Sequence, residues 1–179
     1  DKNNDRFQLY EGIFIIEKST SEKVDFDTLV FARRNFARKN PKLYRNHWFN
    51  SIWQFPKDSK LRVIDRQSFQ RSSIAYFEAP SQITTIKMSA FDSCIKLKNV
   101  TFPNDSKLET IGKYAFNGSS IEKIVIPDKI TTFCDGIFNG CSNLALIFSL
   151  LKNSQSGLLI LNALLFSRVW KKLTIKLLY

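Results

Sequence analysis

The strongest constraint on this chain is that it repeats itself. Residues 55–101, FPKDSKLRVIDRQSFQRSSIAYFEAPSQITTIKMSAFDSCIKLKNVT, align without gaps to residues 102–148, FPNDSKLETIGKYAFNGSSIEKIVIPDKITTFCDGIFNGCSNLALIF, and 18 of the 47 positions are identical. The identities fall mostly on apolar, Pro and Cys positions, the ones that shape a core. A tandem period of this length builds a solenoid, in which each unit packs only on its neighbours. Solenoids present extended surfaces, which points the chain toward binding.

The repeated unit is itself double. Phe69, Phe91, Phe116 and Phe138 stand 22, 25 and 22 residues apart, and Pro56, Pro80, Pro103 and Pro127 follow at 24, 23 and 24. Apolar residues stand five before each Phe (Ile64, Ile86, Ile111, Phe133) and eight before it (Leu61, Ile83, Leu108, Ile130). Others stand five or six after it (Ile74, Leu97, Ile121, Leu144). Leu97-x-x-Val100-x-Phe102-Pro103 and Ile121-x-x-Ile124-x-Ile126-Pro127 end in alternating apolar runs. That pattern predicts a short strand with one buried face, stopped by a Pro that cannot donate to a ladder. The segment 111–116 spaces its apolar residues nearer to one or two helical turns, so the expected return is a short helical or 3-10 segment. One such unit buries too little apolar surface to offset the ordering of its backbone, so stability requires stacked neighbours.

The pattern L-x-x-I-x-x-x-A-F-x-x-C-x-x-L-x-x-I-x-x-P resembles the BspA-like leucine-rich repeat. Leu108-Glu-Thr-Ile111-Gly-Lys-Tyr-Ala-Phe116 and Ser89-Ala-Phe91-Asp-Ser-Cys94-Ile-Lys-Leu97 carry it. The alternation of a Cys unit with a Ser-Ser unit (Ser72-Ser73, Ser119-Ser120) is similar to BspA-like surface antigens of mucosal protozoa. The specific match covers residues 55–148. It implies an α/β leucine-rich-repeat solenoid, with short parallel strands and short helical or 3-10 returns. Phe7-Gln-Leu-Tyr-Glu-Gly12-Ile-Phe-Ile-Ile16 and Thr28-Leu-Val-Phe-Ala32 resemble the β-hairpin that interrupts such arrays. The expected organisation is therefore a hairpin region over 1–35 packed on the array, and an array over 36–148 whose first repeat, 36–56, is degenerate. Residues 149–179 are a degenerate last repeat or cap. The resemblance further implies a non-enzymatic adhesion or recognition protein at the cell surface or secreted, with a host or matrix protein as ligand.

The residues themselves agree with a binding role. The only His is His47, and no C-x-x-C, H-E-x-x-H or G-x-S-x-G motif occurs. No catalytic set, metal site, cofactor site or small-molecule substrate site is expected. Between the inward apolar columns, the strand residues point outward and form ladders from rung to rung. By register these are Tyr76 and Glu78, Asn99 and Thr101, Lys123 and Val125, then Leu146 and Phe148, with Ser51 and Gln54 in the degenerate first rung. The first six are the candidate protein-binding residues. Asp58 with Lys60 and Asp105 with Lys107 recur with the repeat, which marks a corner where Asp or Ser satisfies turn amides.

The formal net charge of +11 is uneven. Residues 28–57 hold seven bases and no acid, whereas 58–135 hold eleven bases and nine acids. Arg33, Arg34, Arg38, Lys39, Lys42 and Arg45, interleaved with Phe36, Tyr44 and Trp48, make an alternative site for a polyanion such as a glycosaminoglycan or nucleic acid. The plainer reading is a solvated basic edge. Cys94 and Cys141 share a column two rungs apart, about 10 Å at rung spacing, too far for a disulfide. Both are expected to be unpaired core fillers. Residues 157–166 are apolar but half the length that spans a bilayer, so anchoring by this segment is not expected. The polar opening from Asp1 does not read as a signal peptide.

Overall fold

The structure, a computed structural model, describes residues 6–10, 14–18, 27–32, 52–55, 59–144, 146–149 and 174–177. Its strands are β1 (Phe7–Tyr10), β2 (Phe14–Glu17), β3 (Thr28–Ala32), β4 (Ile52–Gln54), β5 (Val63–Ile64), β6 (Tyr76–Glu78) and β7 (Thr85–Ile86). They continue as β8 (Asn99–Thr101), β9 (Thr110–Ile111), β10 (Lys123–Ile126), β11 (Thr132–Phe133), β12 (Leu146–Ser149) and β13 (Thr174–Leu177). Two sheets result, in the orders β1-β2-β3-β5-β7-β9-β11 and β13-β12-β10-β8-β6-β4. Every pairing is parallel except β1 with β2 and β2 with β3. From β4 to β11 each coil thus contributes one strand to each sheet.

The expected hairpin is present, with a refinement. β1 and β2 pair antiparallel, and β3 pairs antiparallel to β2 on one side and parallel to β5 on the other. Phe14 on β2 is buried and meets Phe69 edge-on at 6.0 Å, so the hairpin extends the core of the first coils.

The core is one continuous spine. Phe69, Phe91, Phe116 and Phe138 form a single row, with centroids 4.7, 5.3 and 5.8 Å apart and planes within 17° of parallel. The row repeats near the rung spacing because each Phe sits at the same place in its coil. Ile64, Ile86 and Ile111 stack in register beside it, and Ile74, Leu97 and Ile121 line the other wall, all buried.

The helical returns are not found; among the described residues there is no helix. Two observations explain the difference. The residues two before and two after each Phe have left-handed backbone: Gln67 and Arg71, Ser89 and Ser93, Tyr114 and Gly118, Gly136 and Gly140. A right-handed helix cannot pass through such residues. The amides are also shared differently. Gln67, Phe69 and Arg71 donate across to Met88, Ala90 and Asp92 carbonyls at 3.3, 2.8 and 2.8 Å. Ser68, Gln70 and Ser72 donate within the coil to Asp65, Gln67 and Phe69. The next two coils repeat this pattern. A helix keeps every amide bond inside itself; here every second N–H leaves the coil, so the return is a third inter-coil ladder made of successive turns. The apolar spacing of 111–116 also hides a strand, since Thr110–Ile111 pairs with Thr85–Ile86 and Thr132–Phe133.

The corner motif resolves onto Ser. Ser59 and Ser106 hydroxyls accept the amides of Leu61 and Leu108, both at 3.3 Å.

Candidate functional site

The candidate surface is built on the six-stranded sheet. Phe77, Val100 and Ile124 occupy one register column and are buried, which fixes their neighbours as outward. Tyr76, Asn99 and Lys123 are consecutive register partners, and so are Glu78 and Thr101, with Val125 next in that row. Tyr76 and Asn99 are half-buried; Glu78, Thr101, Lys123 and Val125 are exposed. The register therefore brings all six candidate residues into two adjacent rows. At one end Ile52 and Gln54 face Tyr76 and Glu78. Ile52 takes the place the spacing assigned to Ser51, a slip of one residue in the degenerate rung; Ser51 lies outside the described residues. At the other end Leu146 and Phe148 pair with Lys123 and Val125.

A third row was missed. Two residues, not one, separate Leu97 from Val100, and Lys98 and Glu122 stand exposed beside the rows, 3.4 Å apart. With both side chains more than half exposed, this ion pair adds little stability. It adds a base and an acid to the face. The signal was available in the two-residue step of each strand. Among the described residues the surface is thus mixed in charge and carries an aromatic at Tyr76.

The cysteines belong to the core. The Cys94 thiol donates to the Phe69 carbonyl and the Cys141 thiol to the Phe116 carbonyl, each at 3.0 Å. Ser72 and Ser119 hydroxyls lie 3.5 and 3.3 Å from the two sulfurs. The alternation of Ser and Cys units is therefore a buried polar column in which small side chains alternate. Burial pushes the Cys94 thiol up to about 11 and moves Cys141 in the same direction. Neither is a reactive thiolate at neutral pH. Both are free, as is the half-buried Cys134.

Arg33, Arg34, Arg38, Lys39, Lys42 and Arg45 lie outside the described residues. Among the described residues no helix is long and apolar enough to cross a membrane, and no three His, Cys, Asp or Glu are grouped to hold a metal ion.

Comparison with known proteins decides the family. The model of the BspA type leucine-rich repeat region matches residues 55–158 in six copies. The chain belongs to the BspA-type leucine-rich repeat family. Members of this family are generally non-enzymatic binding scaffolds and typically surface proteins. Among solved structures, the pneumococcal vaccine antigen PcpA is 32% identical over 53% of this chain and 24% of its own, with a TM-score of 0.52. A leucine-rich repeat protein from Bacteroides capillosus is 18% identical over 81% of this chain and 99% of its own, with a TM-score of 0.61, and supports the fold. The BspA-type chain spans about a quarter of the PcpA chain. No curated protein matches it in sequence.

Proposed function

We propose that the chain is a protein-recognition module of a cell-surface or secreted adhesion protein, which binds a host or matrix protein through the strand rows. The observation that carries this reading is the register that places Tyr76, Asn99 and Lys123 beside Glu78, Thr101 and Val125 on one continuous parallel sheet. Inter-coil bonds hold these side chains in fixed relative positions before binding, which lowers the entropy lost on association. Tyr76 is the anchor, because aromatic residues carry a large share of interface energy. In this reading residues 36–148 recognise the ligand, while 1–35 and 149–179 cover the ends of the array. Family membership supports a binding role, and the likeness to a vaccine antigen supports an exposed location.

Two experiments test it. Intact cells carrying the native protein are treated with a membrane-impermeant biotin reagent, and tagging of this chain is expected. Binding of the purified chain to immobilised extracellular-matrix proteins is then compared for Tyr76→Ala, Lys123→Ala and Arg34→Ala. A loss of about tenfold or more is expected at Tyr76, as for a central aromatic anchor. Normal binding in both strand variants, with loss in Arg34→Ala, would overturn the strand surface in favour of polyanion recognition.

A further inference from the structure

The return ladder puts five non-glycine residues, Gln67, Arg71, Ser89, Ser93 and Tyr114, in left-handed backbone, and Tyr114 is the aromatic one among them. The position two before each Phe is left-handed, and Tyr114 occupies it at φ 58° with its side chain exposed. Bulky side chains are the least suited to this region. The next coil accommodates the ring with Gly136, where a Cβ would lie 2.6 Å or less from the Tyr114 ring carbons Cδ1 and Cε1. The aromatic ring therefore lies against bare backbone of the neighbouring rung.

The surroundings of the ring are polar and open. A depression of about 260 Å³ is lined by Lys113, Tyr114, Asp135, Gly136 and Asn139. The Lys113 ammonium stands over the ring, 5.3 Å from its centroid, on an exposed side chain. Asp135 occupies in its coil the place that Lys113 holds in the preceding one, yet no ion pair joins them among the described residues. Asn139 continues the column Gln70, Asp92, Asn117. In that column Gln70 and Asn117 amides both donate to Asp92, at 2.8 and 2.6 Å, whereas the Asn139 amide meets no such partner among the described residues.

We propose that this depression binds one neutral pyranose ring of a glycan. With the exposed Lys113 side chain swung off the ring, the tyrosine presents an apolar surface to the C–H side of the sugar. Asp135 accepts from hydroxyls, the Asn139 amide both accepts and donates, and Lys113 donates, which suits adjacent hydroxyls on one ring. The charges of Lys113 and Asp135 offset each other, so the site favours a neutral sugar over a polyanion. It is built on the returns, not on the strand rows, and stands independently of the protein-binding reading.

Saturation-transfer difference NMR on the whole chain tests this. The probes are the methyl pyranosides of glucose, galactose, mannose and N-acetylglucosamine. Transfer to ring C–H protons of at least one is expected, with a Kd on the order of millimolar, the scale for a ligand of this size in an open site. The signal is expected to persist at about 0.5 M salt, where screening removes long-range charge effects. Tyr114→Gly removes the ring and suits the left-handed backbone, so the variant folds and the signal disappears. Asn139→Ala weakens binding about fivefold, the loss of one hydrogen bond. Transfer from none of the four sugars, or transfer that survives in Tyr114→Gly, overturns the proposal.

Discussion

Phe91→Ala is the perturbation that most directly tests the architecture. Phe91 has no exposed surface and meets three rings: Phe69 at 4.7 Å and Phe116 at 5.3 Å, both stacked, and Phe77 at 4.9 Å, tilted by 60°. Truncating a buried Phe to Ala removes about 3–5 kcal/mol, and ring pairs add roughly 0.5–1.5 kcal/mol each beyond burial. Three such pairs put Phe91→Ala at the upper end, about 5 kcal/mol. Phe138 has Phe116 at 5.8 Å and Phe133 at 6.2 Å, so Phe138→Ala is expected to cost about 3 kcal/mol. Urea unfolding with linear extrapolation measures both. For a slope of about 2 kcal/mol/M, the midpoint falls by about 2.5 M at Phe91 and 1.5 M at Phe138. In a solenoid the loss also uncouples the coils on either side, so the slope is expected to fall for Phe91→Ala. Phe91→Leu keeps most of the apolar volume and is expected to cost less than half as much. A loss at Phe91 no greater than at Phe138, or below about 1.5 kcal/mol, would refute the continuous spine.

Two glycines provide a contrast that backbone angles alone would order wrongly. Gly112→Ala places a Cβ 2.7 Å from the Met88 amide nitrogen and 2.8 Å from the Lys87 carbonyl carbon, so it pushes adjacent coils apart; Gly118 is left-handed at φ 62° but its Cβ would meet nothing nearer than 3.7 Å. Thermal or urea unfolding is expected to show Gly112→Ala as the more damaging, by roughly 1–3 kcal/mol against about 1 kcal/mol for Gly118→Ala. The Cys94 thiol gives a pH signature. Its native value is raised from 9.0 to about 11, so the unfolded state ionises first. The contribution is fully present below pH 9.0 and is lost as pH rises through about 11. Wild type is therefore expected to lose about 2–3 kcal/mol more than Cys94→Ser across this window, measured as the difference in unfolding free energy; equal losses would count against the burial of the thiol.

The array was legible because its constraints recur. Phe69, Phe91, Phe116 and Phe138 each meet the same requirement, and the register of Tyr76 with Asn99 and Lys123 follows once Phe77, Val100 and Ile124 are recognised as inward. The returns were not legible. Ile111, Ala115 and Phe116 have helical spacing, and nothing local to that segment shows that the Tyr114 amide reaches Asp135 or the Phe116 amide reaches Ile137. The second sheet was hidden for a related reason: strands of two residues, such as Thr85–Ile86, are too short to show alternation. The depression at Tyr114 was invisible too, since its lining comes from residues on two coils.

The sequence by itself determined the period, the inward columns, the parallel strand rows and the family, because repetition multiplies a weak preference at one position into a demand shared by every coil. Only the tertiary structure decided the form of the return and the partners of its polar groups. Those depend on which carbonyl of the adjacent coil lies nearest each amide, and that distance exists only after the coils have stacked.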